Sequence, residues 1–166
     1  MESGALPFQT TDASLIIVSE TQSLEPVLSS SLQRTIAVGA QQECQGLILS
    51  LISIEVYDDG FAANFRLAVA GPPKSAEQLP GVMPILTASA AESDKVVYFA
   101  YPRPAMGPPG DWYASLRFAP RLHDTSRSLT IAVIKIEWLP RQHSSKIIEW
   151  LGPWTFEVTL IADTPR

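Results

Sequence analysis

The stretch GLILSLISIEVYDDGFAANFRLAVA, residues 46–70, decides the fold of this chain. Its first half is apolar and rich in β-branched side chains, a composition that favours a strand. The sequence DDG follows at residues 58–60, and Asp-Gly accepts the positive φ values that a tight hairpin turn requires. Over residues 61–69, large apolar residues alternate with small or polar ones, as in an antiparallel strand with one buried face. The stretch therefore predicts a β-hairpin.

The same period-two alternation recurs towards the C-terminus. Over residues 112–118 and 154–162, large apolar residues again alternate with small or polar ones, which indicates two further half-buried strands. The sequence LTIAVIKIEW, residues 129–138, also predicts a strand, but its apolar positions change phase along the run. A β-bulge near Val133 and Ile134 accounts for the change, as does burial of both faces.

Shorter segments complete the pattern. Strand-like composition is found at residues 14–19, 34–40, 85–91 and 95–101. The connections between strands are polar or rich in proline, and they are residues 41–46, 71–84, 102–110 and 139–152, the last with a hairpin or a short helix at 146–150.

No segment has a sustained helical period. Seven to nine strands separated by glycine- and proline-rich turns predict an all-β fold, a two-sheet antiparallel β-sandwich of immunoglobulin-like or jelly-roll topology. A closed barrel is the alternative. The predicted organisation is a flexible N-terminal arm at residues 1–13, a single β-sandwich domain at 14–162 and a tail at 163–166.

Charge and hydropathy exclude several classes of partner. The chain of 166 residues has a net charge of −5, and its 12 basic residues are scattered. Nucleic acids and anionic membrane surfaces require clustered cations, so we expect neither as a partner. No apolar run is long enough for membrane insertion. If Met1 is the natural start, the lack of a signal peptide favours the cytoplasm, whereas in an excised piece of a longer protein the compartment stays open.

The side chains that carry catalysis are few. The chain has two histidines, His123 and His143, both in polar connections, and one cysteine, Cys44. It has no nucleophile-elbow, phosphate-binding or zinc-ligand motif. The neighbouring Glu43 raises the pKa of the cysteine thiol, which disfavours a reactive thiolate. We therefore expect no enzyme activity, no metal and no cofactor.

A group of aromatic residues around the second proline-rich loop is the candidate ligand-binding site. Tyr101 precedes the loop, and Trp112 and Tyr113 follow it. With Arg103 and Asp111 close by in sequence, these rings can stack on a carbohydrate or pack a proline-rich peptide.

The alternative is that the tryptophans anchor the core. Trp112, Trp138 and Trp154 fall on apolar positions of predicted strands, which favours burial between the two sheets. Trp150 falls in a predicted connection, so we expect it to be the tryptophan least suited to full burial.

Composition and fold class together favour a binding role. The chain is 46% hydrophobic and only 17% charged, which leaves apolar surface for a partner to cover. Open sandwiches also have edge strands that can pair. We therefore expect a non-catalytic structural or protein-interaction domain, with a protein partner or self-association through an edge or a sheet face. The alternative is a small ligand-binding module for a carbohydrate or a proline-rich peptide.

Four strings also carry a resemblance to known proteins, and they are residues 57–60, 112–120, 129–138 and 152–158. Over residues 34–162 the chain resembles immunoglobulin-like β-sandwich domains of uncharacterised bacterial proteins, some of them extracytoplasmic parts of anti-sigma-factor-like membrane proteins. The resemblance implies the sandwich fold and brings no catalytic residues. Only the fold carries over, because this sequence has no membrane span and no N-terminal sigma-binding module.

Overall fold

The computed structural model describes residues 31–72, 75–93, 96–141 and 146–160. The predicted arm, the predicted strand at residues 14–19 and the predicted tail lie outside these ranges. The described chain contains one 3₁₀ turn (Ala76–Gln78) and nine strands: β1 (Leu32–Cys44), β2 (Leu47–Tyr57), β3 (Phe61–Val69), β4 (Pro84–Glu92), β5 (Val97–Phe99), β6 (Arg103–Pro104), β7 (Asp111–Phe118), β8 (Ser128–Trp138) and β9 (Ile148–Thr159).

The strands form two antiparallel sheets, which confirms the predicted all-β sandwich. Sheet I has the order β1-β2-β3-β7. Sheet II has the order β5-β4-β8-β9, and β6 also pairs with β4. Because β8 occupies one side of β4 along its length, β5 and β6 follow each other along the opposite side. The chain therefore crosses between sheets after β3, before β7 and before β8.

The hairpin predicted from residues 46–70 is β2–β3, and its strands pair along their length. Ile52 is an extra residue in β2, because Leu51 and Ser53 pair with consecutive residues of β3. This bulge changes the parity of the buried positions, so that Leu51 and Ile54 both face the core. Ile52 itself points outward and is 40% exposed.

Strand β8 has the bulge that its sequence predicts. Val133 and Lys135 pair with the consecutive residues Ala88 and Thr87 of β4, so Ile134 is the extra residue. The buried positions change parity at this point and stay on the core face of the sheet. The bulge, and not burial of both faces, therefore explains the phase change in the sequence.

Tryptophan rings join the two sheets across the core. The rings of Trp112 in sheet I and Trp138 in sheet II meet edge to face with their centroids 5.3 Å apart, and Trp138 meets Trp150 in the same way at 5.3 Å. These three rings are buried, and Trp154 is half-buried. The expectation for Trp150 is thus wrong, because β9 already begins at Ile148 and turns this ring inward.

Three predicted connections contain strand instead. Strand β1 continues through the predicted polar turn to Cys44, and the chain turns at Gln45 and Gly46, whose φ values of 50° and 82° suit a tight hairpin. Strand β6 lies within the proline-rich loop, and β9 includes residues 148–152, where we expected a connection. Proline did not prevent either strand because both lie at sheet edges, where a missing N–H donor is tolerated.

The two sheets are connected to each other along both long edges of the sandwich. On one side, Met106 and Tyr113 exchange two backbone hydrogen bonds of 2.8 Å, which tie the segment after β6 to β7. On the other side, β1 and β9 lie next to each other, and the side-chain amide of Gln42 donates to the carbonyl oxygen of Thr155. The broad surfaces left for a partner are therefore the outer faces of the sheets and the ends of the sandwich.

Candidate functional site

The predicted aromatic site is divided between core and surface. Trp112 is 1% exposed, because inward and outward positions alternate along β7 and it occupies an inward one. Its ring cannot stack on a ligand, so its assignment to the binding site is corrected. Tyr113 and Tyr101 are 48% and 41% exposed. Tyr113 lies on sheet I, whereas Tyr101 and Arg103 lie at the β5–β6 edge of sheet II.

The structure adds Arg66 of β3 to the surroundings of Tyr113. Its Nε and one Nη donate to the Asp111 carboxylate at 2.7 and 3.0 Å, and its guanidinium carbon lies 5.8 Å from the centre of the Tyr113 ring. The hydrogen bond from Arg66 holds the pKa of Asp111 below its usual range. Arg66 could not be assigned from the sequence because only the β3–β7 register brings it beside Asp111, 45 positions further along the chain.

A second polar cluster surrounds Glu92 at the end of β4. Its fully buried carboxylate accepts hydrogen bonds from the Tyr98 hydroxyl and, at 3.3 Å, from the backbone N–H of His123. The Nδ1 atom of His123 lies 3.2 Å from its second oxygen. Burial, and then the bond to Glu92, raises the pKa of Tyr98. Glu92 therefore orients the His123 ring with its Nε2 atom away from the carboxylate, a role the sequence did not reveal.

Two adjoining cavities open at the end of the sandwich that carries His123. The smaller, of about 340 Å³, is lined by His123, Arg121 and neighbouring residues. The larger, of about 510 Å³, is lined by residues 124–127 together with the end of β9. Arg34 of β1 lines both cavities, as does Asp124. We name the two cavities together the end recess.

The outer face of sheet II carries four of the twelve large apolar side chains that are exposed in the described chain. Its middle consists of small residues of β4 and β8, namely Ser89, Ala91, Thr130 and Ala132. Large exposed apolar side chains surround these small residues, namely Val97, Phe99, Ile134 and Leu151. Phe99 and Leu151 are 71% and 73% exposed. This arrangement is typical of a surface that another protein covers.

Cys44 lies inside the core at the end of β1. Burial, with a smaller contribution from Glu43, raises the pKa of its thiol to about 11. The thiolate is therefore scarce at neutral pH, and the position does not suit a nucleophile.

The described part of the chain contains neither a cluster of metal ligands nor a membrane-spanning helix. Within it, no three His, Cys, Asp or Glu side chains lie close enough together to hold a metal ion. The second histidine, His143, lies outside the described residues. No described helix has the length and apolar character needed to cross a membrane.

Comparison with known proteins supports the fold. None of the protein-family models matches the sequence, and no curated protein is similar to it. Among solved structures, the chain is similar to the crystal structure of a conserved domain protein from Bacillus anthracis, with a TM-score of 0.59 and 10% identity. The match covers 77% of this chain and 49% of that one, so this chain spans about half the length of its structural neighbour. At this identity the match shows the fold alone, and it does not confirm the resemblance to immunoglobulin-like domains.

Proposed function

We propose that this domain is a non-catalytic protein-interaction module whose contact surface, the outer face of sheet II, packs against the same face of a second copy. The observation that carries the proposal is the set of exposed apolar side chains around a middle of small residues on that face. Isolated exposed apolar residues are ordinary, but several on one face of a sheet are typical of an interface.

The size of the face fits a modest interface. Four strands about 4.8 Å apart span about 19 Å, and the length of β4 is about 30 Å at roughly 3.3 Å per residue. Two such faces cover roughly 1,100 Å² in projection, which lies near the lower end of the range for specific interfaces. We therefore expect a reversible dimer.

The charges at this face favour a second copy of the chain as the partner. Lys135 Nζ lies 2.9 Å from the carboxylate of Glu137 and 3.7 Å from that of Glu149, so these charges are already paired within the sheet. Glu157 of β9, opposite Thr130, adds one exposed carboxylate near the edge of this face, so little charge is left for an oppositely charged partner. The main requirement is then an apolar surface of matching shape, and in a two-fold dimer the same face of a second copy supplies it.

The test compares two isoleucines that the fold places in equivalent positions. Ile134 on sheet II and Ile52 on sheet I are both bulge residues and both 40% exposed. We expect sedimentation equilibrium to show a concentration-dependent dimer for the wild-type chain. Ile134→Lys should weaken it about tenfold or more, because an unpaired charge is costly at a buried interface. Ile52→Lys should leave it unchanged.

A wild-type chain that stays monomeric at every concentration contradicts the proposal. An equal loss of dimer in both isoleucine variants also contradicts it, because the effect would then not depend on the face. Leu151→Glu serves as a second sheet II variant if Ile134→Lys fails to fold, since Leu151 lies on an edge strand and is 73% exposed.

A ligand-binding module is the second candidate. The exposed rings of Tyr101 and Tyr113 favour it. The burial of Trp112, and the position of Arg66 over the Tyr113 ring, reduce its support. Isothermal titration calorimetry with a panel of oligosaccharides and a polyproline peptide separates the two functions, because only the ligand-binding module produces a saturable heat.

A further inference from the structure

The end recess carries an inference that is independent of the proposed dimer. Three of the eight arginines of the chain, Arg34, Arg121 and Arg127, line it. The chain as a whole has a net charge of −5. Because the recess is lined by these three arginines and by two aspartates, Asp58 and Asp124, its wall has a small net positive charge in an acidic domain.

Two of these arginines keep their charge available. Arg121 forms an ion pair with Asp124 at 3.3 Å. No described carboxylate forms an ion pair with Arg34 or Arg127. The Arg34 guanidinium instead donates to the carbonyl oxygen of Leu160 at 3.5 Å, which positions it without neutralising it. Both guanidinium groups belong to the wall of the larger cavity.

The same wall carries hydroxyl groups. Ser126 is buried, and its Oγ has no hydrogen-bond partner among the described residues. Thr125 and Thr159 line the cavity as well. A buried hydroxyl without a partner destabilises a fold. The Ser126 Oγ is closed to solvent, so the hydroxyl side chains that a ligand can meet at the surface of the cavity are those of Thr125 and Thr159.

We propose that the larger cavity of the end recess binds the oxyanion group, a carboxylate or a phosphate, of a small molecule. A guanidinium presents paired N–H donors whose geometry matches two oxygens of such a group, and the hydroxyls supply further donors. The Asp124 carboxylate in the wall is already paired with Arg121. The smaller cavity, with His123 and Asp58, offers polar contacts to the rest of the ligand.

Titration by nuclear magnetic resonance tests the proposal on the full ¹⁵N-labelled chain. Sodium phosphate and sodium succinate are the probes, and sodium chloride at equal ionic strength is the reference. We expect saturable shifts of the backbone amides of residues 124–127 and 159–160 with at least one probe and not with chloride. Stronger binding of phosphate assigns the site to phosphate esters, and stronger binding of succinate assigns it to carboxylates.

Arginine variants identify the groups that bind. Arg34→Ala should weaken binding of the probe about tenfold or more, since it removes charge-assisted hydrogen bonds, and Arg34→Lys should weaken it less. Arg117→Ala is the matched control, because Arg117 lies on β7 and lines neither cavity. Arg127→Ala, in an exposed connection, repeats the test if Arg34→Ala does not fold.

Two results overturn the proposal. One is a set of shifts with phosphate and succinate no larger than those with chloride, which would indicate general ionic strength effects. The other is unchanged affinity in both Arg34→Ala and Arg127→Ala, because the oxyanion would then be bound elsewhere.

Discussion

Ile52 in sheet I and Ile134 in sheet II occupy equivalent places in the two halves of the sandwich. Each is the extra residue of a bulge in an interior strand, and each is 40% exposed. In both sheets the neighbouring edge strand has a two-residue insertion opposite the bulge, with Gly39 in β1 and Gly152 in β9. Because bulges bend a strand and increase its twist, the two matched bends help to bring β1 and β9 together.

The surfaces around the two isoleucines differ. Beside Ile52, the amide of Asn64 donates to Ser53 Oγ at 3.1 Å, so polar side chains satisfy one another on the outer face of sheet I. Around Ile134 lie the small residues of β4 and β8 and the exposed Leu151. The comparison shows that both sheets share one backbone arrangement, while the outward side chains of the two faces differ in polarity.

The largest effect is expected for Gly152→Ala. A Cβ at this position would lie 2.3 Å from the carbonyl oxygen of Val133 and 2.9 Å from the amide nitrogen of Trp154. Backbone atoms cannot move aside without distorting the sheet, so we expect the free energy of unfolding to fall by about 3 kcal/mol. Urea denaturation measures the change.

Gly39→Ala is the matched variant in sheet I. The space around Gly39 is open, but its φ of 67° lies in the left-handed region. Alanine there should cost about 1 kcal/mol of unfolding free energy. Equal losses of unfolding free energy for Gly39→Ala and Gly152→Ala would contradict the expectation that close packing at the sheet II bulge makes Gly152→Ala the more costly change.

Two smaller effects on stability, of opposite sign, are expected when hydroxyl side chains on the outer faces of the sheets are replaced. Ser53→Ala removes the acceptor of the Asn64 amide and should cost about 1 kcal/mol of unfolding free energy. Thr87 Oγ1 in sheet II is buried without a partner among the described residues. Thr87→Val should therefore be neutral or stabilise by up to about 1 kcal/mol. Thermal unfolding followed by circular dichroism distinguishes the signs, and a clear loss of stability in Thr87→Val would contradict the assignment.

The smallest effect is expected at the Arg66–Asp111 ion pair. The pKa of Asp111 is lowered in the folded chain, so the pair contributes stability above the unfolded-state pKa of about 3.9, and this stability is lost as pH falls through the folded-state pKa. Asp111→Asn should lower the Tm by about 2 °C or less at neutral pH, because the pair is exposed. A difference that persists near pH 2, at about the same size, would mean that charge is not its cause.

One bulge could be predicted from sequence and the other could not. In β8 the apolar positions change parity cleanly after Val133, and a bulge near Val133 and Ile134 is one of the two explanations that this pattern offers. In β2 the outward Ile48 and Ile52 are as apolar as the buried positions and hide the same change. Apolar side chains on both faces of a strand remove the period-two signal on which such predictions rest.

Trp150 illustrates a second limit of prediction from the sequence. Trp150 falls in the connection predicted at residues 139–152, and Gly152-Pro153 at the end of this connection is a dipeptide typical of a turn. In the structure these two residues form the edge-strand insertion opposite Ile134, and β9 continues through them. A turn dipeptide is compatible with a strand when it lies opposite a bulge at a sheet edge.

The amino-acid sequence by itself determined the all-β class and the first hairpin, and it reduced the phase change in β8 to a bulge or burial of both faces, because these depend on neighbouring residues. Only the tertiary structure placed Arg66 beside Asp111 and Glu92 beside His123, pairs separated by 45 and 31 residues. It also decided which sheet has the apolar outer face and which arginines share the end recess. Strand order and register set these contacts, and both depend on how the whole core packs.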